Sequence, residues 1–337
     1  MNPLIFITNK INRREKKRYK ILTFPTHESY QTNLAETGHE FVLLDRKQGN
    51  KEWNFNTKPL PKNTTIINDI TDLDYDIDFI LSQERFGQLQ FSKNMSKTTR
   101  LPIVHMEHIE PLLFRWNQEE FENLKSLRAD IHVFITEHNQ LSWGDKQSVV
   151  IPHGIRTSDF VGWDKSISKK VLYIVNQLAE RDEFCGFKEW LHLRQLVNSI
   201  DPEIKFVLIG DNKGASHSIA DEKILVRAIN DCSCYLNTSR LSPVPMSLME
   251  AMSCGIPCVS TANQQVPVVM RGIDTCSNDL NFLAKQIVEI CNNPERATSV
   301  GNLCRAQIVE NYNIDNFVNN WNAIFDNAYN LCLENSI

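Results

Sequence analysis

No stretch of this 337-residue chain is apolar for long enough to cross a membrane as a helix, and the run Pro3-Leu4-Ile5-Phe6-Ile7 is too short for the apolar core of a secretory signal. Cysteine is missing from the first 184 positions. All nine lie between Cys185 and Cys332, an odd number with nothing to suggest export, which argues against a disulfide framework. Histidines at ligand spacing are also lacking after Cys232-x-Cys234 and Cys254-x3-Cys258, so these thiols read as small buried apolar groups rather than zinc ligands. Nor is there an excess of positive charge: the net charge of −5 argues against general nucleic-acid affinity, though not against a local basic patch. These absences leave ordinary globular composition, 42% apolar and 23% charged, with length enough for two domains. The reading is a cytoplasmic protein.

What is present alternates. Tyr19 to Phe24 reads as a strand ending at Pro25, Glu28 to Thr37 as a helix closed by Gly38, and Glu40 to Leu44 as the next strand. Asp78 to Ser82, Pro102 to His105 and Ile131 to Thr136 are further short apolar strands, with a helix over Glu119 to Leu127. Leu4 to Thr8 is an extra strand without an obvious place. The second half repeats the pattern, with strands over Lys170 to Val175, Lys205 to Gly210 and Ser233 to Asn237, and helices over Phe187 to Asn198, Glu222 to Asn230 and Leu280 to Cys291. Val150-Ile151-Pro152-His153-Gly154-Ile155 and the polar stretch to Lys169 form the natural hinge. Alternation of this kind predicts an α/β chain with parallel sheets covered on both faces. Two such halves give two Rossmann-like domains facing an interdomain cleft, with ligands outside the carboxyl ends of the strands. The expected division is 1–152, a 153–169 linker, 170–311, and a 312–337 tail.

The most informative stretch runs from Ser239 to Ser260. Pro243 and Pro245 hold its approach extended, Ser247 reads as an N-cap before Leu248 to Met252, and Gly255 reads as a left-handed stop. Pro257 forbids continuation, and Cys258-Val259-Ser260 reads as a parallel strand. A helix N-terminus beside a strand end attracts anions, because its free N–H groups and its dipole both point there. Glu250 adds a carboxylate one turn in. The implied ligand is a phosphate compound that also bears hydroxyls.

Ser247-Leu248-Met249-Glu250-Ala251-Met252-Ser253-Cys254-Gly255-Ile256-Pro257-Cys258-Val259 resembles the C-terminal signature of retaining nucleotide-sugar glycosyltransferases of the two-domain GT-B fold, of the family 4 (glycosyl transferases group 1) type. That signature is usually Glu-x7-Glu followed by Ala-Met-Ala-Cys-Gly-x-Pro-Val-Val. Glu250 is the second glutamate, and Ser242 stands where the first would be. The resemblance is clear over roughly 170–330, present at Ile151-Pro152-His153-Gly154-Ile155, and weak over 1–130, where Pro25-Thr26-His27-Glu28 replaces the usual glycine-rich loop. It implies a hexosyl or pentosyl transfer from a UDP- or GDP-linked donor to a hydroxyl acceptor, with retention, without metal and with no other cofactor. It also implies that the helix over Asn316 to Leu331 crosses back onto the N-terminal domain.

The resemblance assigns ribose binding to Glu250 and diphosphate or sugar contacts to the N–H groups around Ser247, Leu248 and Met249. Cations are needed where a diphosphate leaves. The family's usual arginine position is Gln177 here, leaving Arg181 and Lys188 to supply charge; the alternative is a surface Arg181 paired with Glu180 or Glu183. Ser242 can hydrogen-bond a sugar hydroxyl but cannot act as a charged stabiliser. In His105-Met106-Glu107-His108, either His108 or His105 could orient a hydroxyl or take its proton, or both could be structural. His27 and Glu28 are weaker candidates of the same kind. Asp74-Tyr75-Asp76-Ile77-Asp78 contains Asp-x-Asp twice but at a strand entrance, where solvent-facing carboxylates are the simpler reading. Seven basic residues between Lys10 and Lys20 are either a solvated loop or a contact for an anionic acceptor, such as a lipid-linked glycan at a membrane surface or nucleic acid. Rival readings are a transferase acting on hydroxylated bases in DNA, a sugar-nucleotide epimerase of the same fold, and a partner subunit without turnover.

Overall fold

The computed structural model describes residues 18–45, 52–74, 76–112, 115–165 and 167–334, and the chain divides into two compact units. The first comprises Met1–Pro152 with Asp315–Ile337, the second His153–Ile314. The Leu4 to Thr8 strand and most of the Lys10 to Lys20 basic segment lie outside the described residues. No helix among the described residues is long and apolar enough to cross a membrane.

Among the described residues the first unit is built on seven parallel strands: β1 (Lys20–Thr23), β2 (Glu40–Leu44), β3 (Thr64–Ile67), β4 (Phe79–Ser82), β5 (Ile103–Glu107), β6 (Ile131–Phe134) and β7 (Val149–Val150), in the spatial order 3-2-1-4-5-6-7. Ile21, Leu22, Phe79, Ile80, Leu81 and Val104 are almost completely buried, which is why these strands are continuous apolar runs rather than alternating ones. The order reverses between β1 and β4, which pair Ile21 with Phe79 and Leu22 with Ile80. Such a reversal opens a crevice at the carboxyl ends of the two strands. β4 leaves through a π-helical turn, Arg85–Leu89, that runs into the Gln90–Thr99 helix. π turns of this kind gather at functional positions.

The carboxylates of the Asp-x-Asp repeat have a structural occupation. The Lys20 ammonium lies 2.8 Å from Asp74 and 2.9 Å from Asp76, and the Lys20 N–H donates to Asp78 at 2.7 Å. The long Ile314–Glu334 helix packs within this unit: the Trp321 indole N–H donates to the Tyr30 hydroxyl at 3.1 Å, and Tyr19 stacks between His39 and Tyr329 at 4.7 and 4.8 Å.

The second unit has four parallel strands, β8 (Lys170–Ile174), β9 (Lys205–Ile209), β10 (Cys234–Asn237) and β11 (Cys258–Ser260), ordered 11-10-8-9. Asp221, Asp279 and Asn293 each cap a helix by accepting two backbone N–H bonds, starting Glu222–Asn230, Leu280–Asn292 and Pro294–Asn311. Gly186 joins Asp182–Cys185 to Phe187–Ile200 at φ 71°, and a Cβ there would meet the Thr238 carbonyl oxygen at 2.0 Å. All nine cysteines are free thiols, eight of them buried.

Each unit buries a histidine that must stay neutral. Burial, with His105 and Arg85 nearby, holds His132 down to about 3, and burial holds His153 to about 4. Both folded values lie below the unfolded one of about 6.5, so stability is complete above that pH and is lost as pH falls toward the folded values. At pH 5 each histidine should cost roughly 2 kcal/mol. Urea unfolding at pH 7 and pH 5 checks this on the wild type, His132→Gln and His153→Gln. The variants should show a shallower pH dependence, and equal dependence in all three would contradict the assignment.

Candidate functional site

In the second unit the loops leaving β8 and β10 are tied together. The Arg240 N–H donates to the Phe184 carbonyl at 2.8 Å, the Thr238 hydroxyl to Cys185 at 3.0 Å, and the Tyr173 hydroxyl to the same carbonyl at 3.0 Å. The Arg240 guanidinium is held by Glu189, its Nε at 2.9 Å. Segments 181–186 and 238–241 therefore form one layer over the carboxyl ends of β8 and β10, and Arg181, Lys188 and Ser242 sit in or beside it.

The signature helix is Met246–Cys254, ended by Gly255 at φ 87° as its sequence demands. Its start differs from expectation. Pro245, not Ser247, holds the N-cap position and makes no side-chain cap bond. The reason lies beneath the helix: the Ser247 hydroxyl donates to the Ile174 carbonyl at 3.1 Å and accepts from the Tyr235 hydroxyl at 2.9 Å. Drawn down to the strand ends, it fastens the helix to β8 and β10 instead of capping it. Leu248 and Met249 also depart from expectation, because their N–H groups point to the Pro245 carbonyl at 3.2 and 3.4 Å. The first helical N–H groups, of Met246 and Ser247, have no acceptor within the helix, so anion-facing capacity moves toward the N-terminus. Glu250 is only 7% exposed and shares a helix face with Ser247 three residues earlier.

The cations are arranged unequally. Arg181 is exposed at the start of the Asp182–Cys185 turn, its guanidinium 5.5 Å from the centre of the Phe184 ring. Lys188 is 79% exposed and pairs with Asp182 at 3.4 Å, which engages part of its charge. Gln177, at φ 55°, shapes the turn itself: its N–H donates to the Asp211 carbonyl and its own carbonyl accepts from Arg181. Ser242 is half-buried.

In the first unit the two candidate histidines have different surroundings. His105 is fully buried, with Nδ1 3.2 Å from the Ser82 hydroxyl and Nε2 3.3 Å from Glu107. Glu107 also receives the Arg85 Nε at 2.8 Å, while Arg85 donates to the Leu124 and Leu127 carbonyls and stacks on Trp143 at 4.2 Å. Burial alone would raise the Glu107 carboxyl, but His105 and Arg85 hold it below its ordinary value. Both ring nitrogens of His105 are thus engaged inside the protein, a structural post.

His108, just beyond β5, is different. Its ring touches His27 at 4.4 Å between centroids and meets Tyr30 edge-on at 4.8 Å, while Nε2 lies 3.3 Å from the Gln83 amide oxygen. His27, His108 and Gln83 follow β1, β5 and β4, so all three reach the crevice side of the sheet. Sequence spacing gave no hint of Gln83, Tyr30 or the Arg240–Glu189 pair, since each is brought in from a separate strand end or helix. Among the described residues, no group of three or more His, Cys, Asp or Glu is placed to hold a metal ion.

With this geometry in hand, known proteins give it a frame. Residues 169–293 match the family Glycosyl transferases group 1. The N-acetyl-alpha-D-glucosaminyl L-malate synthase of Bacillus anthracis is 23% identical over 152 residues, which are 44% of this chain and 36% of that protein. The match therefore spans little more than a third of the relative's length. Among solved structures, HepE of Anabaena in complex with UDP superposes with a TM-score of 0.71 at 13% identity, over 92% of this chain and all of that one. Sucrose-phosphate synthase of Thermosynechococcus elongatus gives 0.73 at 12% identity, over 93% and 99%. The chain therefore has the GT-B glycosyltransferase fold, and over its second half it resembles the glycosyl transferases of group 1.

Proposed function

We propose that the chain transfers a sugar from a nucleotide-diphosphate sugar to a hydroxyl acceptor. The observation that carries this is the start of the Met246–Cys254 helix: it lacks a side-chain cap, is fastened to two strand ends by Ser247, and bears a buried Glu250 one turn in. That arrangement suits a diphosphate at the N–H groups and ribose hydroxyls donating to the carboxylate. The match of residues 169–293 to the group 1 family and the complexes of HepE with UDP and UDP-glucose favour a uridine nucleotide.

In the proposed reaction, the bond between the anomeric carbon and the diphosphate oxygen breaks and the acceptor oxygen bonds to that carbon on the same face. Retention follows. The acceptor proton passes to the departing phosphate oxygen. Negative charge grows on the diphosphate as it leaves, and Arg181 with the helix N-terminus stabilises it, the work a metal ion does in other transferases. An arginine fork matches two phosphate oxygens better than the already paired Lys188. Ser242 contributes a hydrogen bond to a sugar hydroxyl. In the first unit His108 orients the acceptor hydroxyl, while His105 supports the sheet.

Calorimetric titration with UDP in EDTA tests the nucleotide site. Glu250→Gln should weaken binding roughly thirtyfold, about 2 kcal/mol for lost charge-assisted hydrogen bonds. Unchanged affinity would refute the ribose assignment. Arg181→Met should bind UDP within a few-fold of wild type yet lose about a hundredfold in kcat for UDP-sugar turnover. An equal loss in binding and turnover would instead make Arg181 a ground-state contact.

A further inference from the structure

We infer that Gln83 is a positioning residue that sets which ring nitrogen of His108 carries the proton, and so which atom faces the acceptor hydroxyl. The inference rests on the transferase reading for its function but not for its geometry. Gln83 directly follows β4 and is 1% exposed. Its amide nitrogen donates to the Thr23 hydroxyl at 3.0 Å and to the Gln31 amide oxygen at 3.0 Å. With both amide protons committed to acceptors, its oxygen is the end presented to His108 Nε2, at 3.3 Å. An amide oxygen only accepts, so with Gln83 in this orientation Nε2 is the protonated nitrogen and Nδ1 holds the lone pair. Turning the Gln83 amide over would require Gln31, whose amide nitrogen is buried without a hydrogen-bond partner, to turn with it, since otherwise two amide oxygens would meet at 3.0 Å.

The backbone that carries Gln83 is fixed as well. Its own N–H donates to the Gln88 amide oxygen at 3.0 Å, and the Gln88 amide nitrogen donates to the Thr26 hydroxyl at 2.9 Å. Gln88 lies in the π turn, so that turn ties the β4 exit to the Pro25-Thr26-His27 segment after β1. This explains why a π turn and two glutamines stand where the strand order reverses. The His108 ring plane is set from the sides by Tyr30 and His27, which are also titratable groups against it. A fixed tautomer matters because a ring nitrogen bearing a lone pair accepts the hydroxyl's hydrogen and one bearing a proton donates to its oxygen, so the tautomer decides how the hydroxyl is turned before its proton passes to the departing phosphate oxygen.

The test reads the ring directly. Long-range 1H–15N correlation spectra of the full chain, with His108→Gln for assignment, should show neutral His108 protonated at Nε2. Protonation at Nδ1 would mean both amides are turned over and would overturn the inference. In Gln83→Met the Nε2–H loses its acceptor. Its exchange with water should quicken at least about tenfold, or the proton should pass to Nδ1. UDP affinity should stay within about twofold. The kcat for UDP release should fall about tenfold or more, and its acidic limb should move to lower pH because the imidazolium loses an acceptor. An unchanged tautomer and unchanged ring-proton exchange would overturn the assignment. Should Gln83→Met fail to fold, the wild-type spectra still decide, because they report directly which ring nitrogen of His108 carries the proton. Absence of UDP binding in the wild type would sink the transferase reading while the ring spectra still decide the role of Gln83.

Discussion

Parallel pairing is the constraint from which the site follows. Every strand of both sheets runs the same way as its neighbours, so the carboxyl ends gather along one edge of each unit and the loops leaving them must share that edge. The second unit uses this twice. Strands β8 and β10 are adjacent, and their exits are laced together by the bonds from Arg240, Thr238 and Tyr173 to residues 184 and 185. The signature helix starts over the same strand ends because Tyr235 on β10 and the Ile174 carbonyl on β8 both hold Ser247. A serine that would ordinarily cap a helix anchors it instead, and the first N–H groups are left without a side-chain cap.

The first unit applies the same geometry with different chemistry. The buried pair Arg85 and Glu107 is satisfied internally, by His105, by two helix-end carbonyls and by the Trp143 face. A buried ion pair of this kind fixes the end of β5 more than it adds net stability. One residue further on, His108 escapes that cluster and enters a neutral amide network. His105 and His108, three residues apart, thus meet different surroundings, because strand alternation and the strand's end turn them to different faces.

Much of this was legible in the residues. The runs Glu40 to Leu44 and Glu222 to Asn230 declare themselves because burial on both faces of a parallel sheet, or a clean apolar stripe behind an Asp cap, leaves an unmistakable pattern. The Pro294–Asn311 helix was silent: its inward positions, Ala297, Val300, Gly301 and Cys304, are small and offer little contrast to their neighbours. Gly301 lies so close to the end of the signature helix that a Cβ would meet the Gly255 carbonyl at 2.1 Å. Ser247 and Glu250 stood out in the sequence because they lie in one contiguous motif. Gln83, Thr23, Gln31 and His108 span four separate segments, and only the strand order brings them together. The mistaken cap at Ser247 has the same origin, since nothing local reveals that Tyr235 and Ile174 claim its hydroxyl.

The most direct test of the central claim is hydrogen–deuterium exchange of the full chain with and without saturating UDP in EDTA. The account requires new protection at the Met246–Cys254 helix start and across residues 176–188, with little change at β3 or β7. Protection confined to other segments, or none at UDP concentrations that saturate a group 1 glycosyltransferase, would contradict the placement of the donor site.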